Sequence, residues 1–127
     1  MKQTNYIVGN FLIILKNAVL AGKKTVRVGK TKMVKSVAEV LKRLGFISEI
    51  KETDGYLEIS LAYKNKSPIL TDIKLVSKPG LRVYWDLKKI KDFHSRYILI
   101  ISTPKGVISS KEALKEGLGG EVIAKVL

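Results

Sequence analysis

Tyr97-Ile98-Leu99-Ile100-Ile101, running directly into Ser102-Thr103-Pro104-Lys105-Gly106-Val107, is the stretch on which the fold turns. The first five residues form a nearly continuous apolar run whose length and β-branched content fit a buried strand. The next six read as a loop with no apolar side chain until Val107. Beyond the loop, Ser109 or Ser110 can cap a helix containing Ala113 and Leu114, with Glu112 in its first turn where the helix dipole favours an anion. Gly117, Gly119 and Gly120 break that helix, and residues 121–127 form a final strand. On the other side of the run, residues 86–92 read as a short helical turn. Residues 69–76 and 81–85 read as strands, joined through Ser77-Lys78-Pro79-Gly80, which has Pro and Gly where a type II turn wants them.

Upstream of this β-rich half lies Tyr63-Lys64-Asn65-Lys66-Ser67-Pro68, a polar, proline-containing stretch suited to a boundary. Before it, a helix is expected from Thr4 or Asn5, either of which can cap it, to just before Gly22. Its apolar positions are Ile7, Phe11, Ile14, Leu15 and Ala18. Thr25-Val26-Arg27-Val28 is a short strand. Thr31 can cap a second helix with Met33, Val37, Val40, Leu41 and Leu44 on one face, stopped by Gly45. Residues 46–50 and 56–62 are strands joined around Asp54-Gly55, a strong hairpin signal. The fold class is therefore α+β: two small α/β domains, residues 1–65 reading α-β-α-β-β and residues 66–127 β-rich with one main helix.

The 127 residues are 46% hydrophobic, enough for an ordinary core, and carry a formal charge of +13. With no Cys there is no disulfide, thiolate or Cys-ligated metal, and a single His excludes a multi-histidine site. Residues 1–44 hold ten Lys and Arg against Glu39 alone, giving +9; residues 45–65 come to −2; residues 66–127 come to +6. Every basic stretch is interleaved with apolar residues that must pack, so the charge belongs to folded elements. The apolar run of residues 6–15, behind Lys2, is about half of the ~20 residues a membrane helix needs. It is read as an amphipathic core helix and the protein as soluble and intracellular.

Enzyme chemistry finds little support. Gly29-Lys30-Thr31 has the tail of a phosphate-binding loop, but the earlier glycine is replaced by Lys24. Gly117-Leu118-Gly119-Gly120 follows a helix and precedes a strand, the reverse of a dinucleotide fingerprint. His94 lies near Asp92 and Ser95 only in sequence. Glu49, Glu52, Asp54 and Glu58 read as a solvated strand edge before they read as a metal site. No catalytic residue, metal or cofactor is expected. What remains is a polyanion reader. Lys and Arg supply phosphate contacts blind to sequence, while Ser102, Thr103, Lys105 and Gly106 offer two hydroxyls, a cation and uncovered backbone within five positions. Tyr84 can stack on a base or ribose. RNA is favoured over DNA.

Three blocks then carry a resemblance: Ser77-Lys78-Pro79-Gly80-Leu81-Arg82-Val83-Tyr84, Ser102-Thr103-Pro104-Lys105-Gly106-Val107 and Glu116-Gly117-Leu118-Gly119-Gly120-Glu121-Val122-Ile123. In this order and spacing they resemble the bacterial or organellar small-subunit ribosomal protein uS8 family, with looser agreement at Leu15-Lys16-Asn17-Ala18 and over residues 40–47. The resemblance implies a structural constituent of the ribosome that binds the central domain of small-subunit (16S-type) rRNA and supports platform assembly. It implies rRNA contacts by Thr31, Lys32, Tyr84, Ser102, Thr103, Lys105, Gly106, Gly120 and Glu121. It further implies a monomer within the ribosome, with neighbouring ribosomal proteins such as uS5 as partners, no small-molecule substrate and no membrane. The ribosome would be that of a bacterial cytoplasm or of an organelle. A free translational repressor of an mRNA is the alternative.

Departures from the family pattern are Pro104, where a serine is common, Asn5-Tyr6 for an Asp-Pro, Ser95-Arg96-Tyr97 for a Gly-Leu-Gly, and Lys125 for an aromatic. The acidic hairpin is expected to face away from RNA or to meet a basic protein neighbour.

Overall fold

A computed structural model describes residues 6–127; the expected caps Thr4 and Asn5, and with Asn5 half of the Asn5-Tyr6 departure, lie outside the described residues. Helix α1 (Ile7–Leu20) follows Tyr6, whose side chain makes no capping bond. Its buried face is Val8, Gly9, Phe11, Leu12, Leu15 and Ala18, so Ile7 and Ile14, expected inside, are exposed. The helix is apolar almost all round, so its periodicity does not choose a face; packing against α2 (Lys32–Arg43) and the later strand β6 (Ile73–Leu75) does.

Strand β1 (Thr25–Gly29) leads to α2, where the Thr31 hydroxyl oxygen accepts from Val34 N at 3.1 Å. Val34, Val37, Ala38, Val40 and Leu41 are buried, whereas Met33, predicted in the core, is exposed. β2 (Ile47–Thr53) and β3 (Tyr56–Leu61) meet at Asp54-Gly55, and the antiparallel sheet runs β1-β3-β2. Its acidic residues are partly neutralised from within. Glu58 stands opposite Arg27 and Lys51 in register, and Glu52 pairs with both Lys30 and Lys35.

Those two lysines hold the Glu52 carboxyl down to about 2 from 4.5. Because the folded value is depressed, the stabilisation is fully present above pH 4.5 and is lost as pH falls toward 2. Glu52→Gln is expected to flatten this part of the acid-unfolding profile, as followed by circular dichroism. An unchanged profile would show the pair to be unimportant.

Residues 63–68, expected as a plain connector, form a tight hairpin of β4 (Tyr63–Lys64) and β5 (Ser67–Pro68). Asn65 and Lys66 both take positive φ, 52° and 68°, the condition that a two-residue turn matched to strand twist imposes. The predicted strands 69–76 and 81–85 shrink to β6 and β7 (Tyr84–Trp85). Between them Ser77, fully buried, donates its hydroxyl to Val122 O at 2.7 Å and accepts from Val83 N at 3.0 Å. Asp86 caps α3 (Leu87–Lys91).

The loop predicted over residues 102–107 is largely strand. β8 (Ile98–Thr103) and β9 (Gly106–Ser109) close around Pro104-Lys105 alone. Polar composition hid the pairing, because ladder hydrogen bonds are made by backbone and do not require apolar side chains. Helix α4 (Ser110–Glu116) starts with a reciprocal capping box between Ser109 and Glu112, and β10 (Gly120–Val126) ends the sheet.

The sheet order is β6-β10-β8-β9, and β7 shares with β6 the edge of β10 away from β8. A bulge between Val122 and Ala124 leaves Ile123 without an opposite residue on β8, while its carbonyl accepts from Val76 N on the other edge. One face, with Leu99, Ile101, Ile108 and Val122, is covered through Ile90 of α3 and Ala113 of α4. The other, with Ile73, Ile100, Val107, Ile123 and Val126, shares a single apolar cluster with Leu12, Leu15, Val37 and Leu41 of the front helices. Both faces are covered along residues 99–101, which is why this stretch reads as an unbroken apolar run. Arg43 of α2 also grips Glu112 of α4 through two contacts of 3.2 Å. Burial pushes the Glu112 carboxyl up, but the Ser109 and Arg43 hydrogen bonds outweigh it and the group ends below its usual value.

Candidate nucleic-acid interface

Two segments some seventy residues apart in sequence enclose one open groove of about 300 Å³. Lys32, Met33 and Ser36 of α2 form one wall; Ser102, Thr103, Pro104, Gly106 and Val107 of the β8–β9 turn form the other. No carboxylate lines it. Lys105, at the tip of the turn, is exposed beside it.

The two hydroxyls of the turn do different jobs. Thr103 is 8% exposed; its Oγ1 donates to Gly106 O at 2.8 Å and accepts from Lys105 N at 3.1 Å. That side chain is committed to holding the turn. Ser102 is half-buried and its hydroxyl has no protein partner among the described residues, so it is free to donate or accept toward a ligand. Gly106 has φ +123° and nothing within 4 Å of where a Cβ would stand. The turn therefore offers bare backbone that a side chain would hide, in a conformation L-residues rarely adopt.

Sheet register ties the remaining candidates to this turn. Tyr84 on β7 stands opposite Glu121 on β10, Glu121 opposite Ser102 on β8, and Ser102 opposite Val107 on β9. Opposed residues of an antiparallel ladder project from the same face, so Tyr84, Glu121, Ser102 and Val107 form one row across the sheet toward the groove. Tyr84 is 69% exposed, as a stacking surface would be. Gly120 contributes by absence: a Cβ there would sit 2.2 Å from Ser102 O, so only glycine lets β10 approach β8 closely enough. Thr31 does not line the groove and acts as the cap that fixes the start of α2 beside it.

Sequence reasoning missed three contributors. Arg82 pairs with Glu121 at 3.2 Å and lies 5.1 Å from the centre of the Tyr6 ring, so the one carboxylate in the row is neutralised. Burial pushes the Tyr6 phenol up, with Arg82 opposing. Ser36 and Met33 complete the helical wall; nothing in the sequence marked Ser36, and Met33 was assigned to the core. His94 is exposed and no His, Asp and Glu grouping suited to a metal exists among the described residues. Nor is any described helix long and apolar enough to cross a membrane.

A family profile described as "Ribosomal protein S8" matches residues 6–127. The chain is similar to small ribosomal subunit protein uS8 of Nostoc punctiforme, 43% identical with 96% of this chain and 97% of the relative covered. Similarity to the same protein of Caldanaerobacter subterraneus is 41%, covering 94% and 95%. Similarity to small ribosomal subunit protein uS8c of Gracilaria tenuistipitata is also 41%, covering 96% and 98%. Similarity over nearly the whole chain defines a structural, rRNA-binding protein of the small ribosomal subunit, of bacterial or organellar type. The chain belongs to the ribosomal protein S8 (uS8) family.

Proposed function

We propose that this protein is a primary binder of the central domain of 16S-type rRNA, holding it through the α2/β8–β9 groove and so supporting assembly of the platform. The observation carrying this reading is the groove itself: an unpartnered Ser102 hydroxyl, the bare Gly106 backbone and Lys32 converge from distant segments with no carboxylate between them. Lysines supply affinity that falls with salt, and the hydroxyl and uncovered backbone supply fit to a shallow RNA groove. Lys105 and Tyr84 extend the contact, while Thr31, Thr103, Gly120 and Glu121 act by fixing its geometry. Residues 1–65 and 66–127 serve as the two domains that grip the RNA, and the outer acidic residues of β2 are left for a ribosomal-protein neighbour such as uS5. The protein acts as a monomer within the ribosome, without catalysis or cofactor.

Filter binding to a central-domain fragment across a salt series tests this. Ser102→Ala is expected to lose about 1–3 kcal/mol of specific binding with the salt slope unchanged. Lys32→Ala or Lys105→Ala should weaken every RNA and reduce the slope by about 0.9 each. Equal affinity of the wild type for random RNA of the same length would refute specific recognition.

A further inference from the structure

The front sheet has an open edge with an unfilled groove beside it. In the order β1-β3-β2, only one side of β1 is paired. Lys30 N donates to Gly55 O at 2.9 Å and Leu61 N to Lys24 O at 2.8 Å, continuing the β1–β3 register at both ends. Hydrogen-bonded pairs of an antiparallel ladder recur at every second residue, so Val26 and Val28 also turn their N–H and C=O groups toward β3. Thr25, Arg27 and Gly29 therefore point theirs outward, and no hydrogen bond from another described element reaches them. Such a row of donors and acceptors is a template for a further strand.

What flanks the edge selects what can lie on it. Helix α1 runs alongside, with Ile7, Ile13, Ile14 and Leu20 exposed. The single charge in α1, on Lys16, is taken up by Asp72 at 3.2 Å. Between α1 and β1 lie two adjoining hollows of about 320 and 280 Å³ that share Ile14; Phe11 and Val28 line the first, Ala18 and Val26 the second. Val26 and Val28 are two residues apart, about 6.8 Å along a strand, which is also the spacing of alternate side chains on an added strand. Neither hollow is lined by a carboxylate, and each has a lysine, Lys30 and Lys23. Lys30 is held by Glu52, whereas Lys23 makes no ion pair with a described residue. On the other face of β1, Arg27 is exposed and rests 5.4 Å from the centre of the Tyr56 ring. A second copy of the chain would set this basic edge against itself. The outward carbonyls disfavour a phosphate chain, and the apolar hollows give it nothing to pair with. An extended protein segment that alternates apolar and acidic residues matches the open ladder, the hollows and the charge.

We propose that β1 takes up such a segment of a partner protein as a fourth strand of the front sheet, its apolar side chains entering the two hollows against α1 and its carboxylates facing Arg27. The assignment does not rest on the RNA reading, since no residue of the two hollows lines the α2/β8–β9 groove.

Fluorescence anisotropy of a labelled octapeptide of alternating valine and glutamate, titrated with the full chain, tests the proposal. Saturable binding is expected, about tenfold tighter than that of an alternating valine–lysine octapeptide or of the same valines and glutamates arranged in two blocks. Ile14→Lys, at an exposed position common to both hollows, should weaken binding about tenfold, the worth of one apolar side chain, while keeping the wild-type circular dichroism spectrum. Arg27→Gln should narrow the preference for glutamate over lysine. With the peptide bound, amide hydrogen exchange should slow at Thr25, Arg27 and Gly29 and stay unchanged at Val26 and Val28, whose N–H groups already face β3. Absence of saturable binding, equal binding of the three peptides, or equal binding by a folded Ile14→Lys variant would overturn the proposal, as would exchange at Arg27 and Gly29 that the peptide leaves unslowed. Concentration-dependent dimerisation abolished by Ile14→Lys would give the edge to a second copy instead, and displacement of the peptide by oligouridylate would give it to RNA.

Discussion

Gly120→Ala is expected to cost about 3 kcal/mol or more and to remove specific RNA binding with it. A methyl group at this position would stand 2.2 Å from Ser102 O and 3.0 Å from Ser102 C, and both obstacles are backbone. A flexible side chain could swing aside; a strand inside a ladder cannot, so β10 must part from β8. Overpacking of a tight interior typically costs about 1–3 kcal/mol and more when backbone has to move. Since Ser102 lines the groove, the same displacement moves the hydroxyl proposed to recognise RNA. Urea unfolding followed by circular dichroism should show the midpoint falling by about 1–2 M for an ordinary slope. A loss under about 0.5 kcal/mol would mean that the strands are less closely apposed than described. Gly106→Ala is the useful contrast, because its added methyl meets nothing within 4 Å and only the φ of +123° is penalised.

Ile100→Ala should cost about 2–5 kcal/mol, the range for truncating a fully buried aliphatic residue. Its informative outcome is the shape of the transition. Ile100 belongs to the apolar cluster that also contains Leu12, Leu15, Val37 and Leu41, so weakening it should loosen both halves of the chain together. Trp85, the single tryptophan, reports on the back half, while helical circular dichroism is dominated by α1 and α2 in the front half. Coincident transitions by both probes, shifted equally by the substitution, are expected for one cooperative unit. Fluorescence that shifts while the helical signal stays put would show the halves to be energetically separate.

The elements most legible in the sequence were those with their own local signals. Thr31 and Ser109 each mark a helix start through a hydroxyl that accepts a backbone N–H, and Asp54-Gly55 marks a hairpin. The unbroken run of residues 98–101 correctly implied a buried strand. Less legible was anything decided by partners far away in the chain. Which side of α1 is inside depends on α2 and β6, and Met33 is left outside because the groove beside it is empty of protein. β9 was lost because its pairing partner is polar at the turn. Of the site, Ser102 and Gly106 were visible as a loop rich in donors, whereas the difference between Ser102 and Thr103 was not. Adjacent hydroxyls on opposite faces of a strand meet different neighbours, and only the fold says which one is already satisfied.

The position of β10 has a consequence for the order of synthesis. It follows every other described strand in the chain, yet it lies inside the sheet, with β8 on one side and β6 and β7 in tandem on the other. Until it arrives, β6 and β7 have no partner, Ser77 has no carbonyl at residue 122 to donate to, and the row from Tyr84 to Ser102 has no middle. The ladder pairing of the β1-β3-β2 sheet involves only residues already made, whereas the apolar cluster under α1 and α2 still lacks Ile123, Ala124 and Val126. A nascent chain can therefore pair its front strands early, but it closes the shared core and the row from Tyr84 to Ser102 only once its last strand lies between those that preceded it.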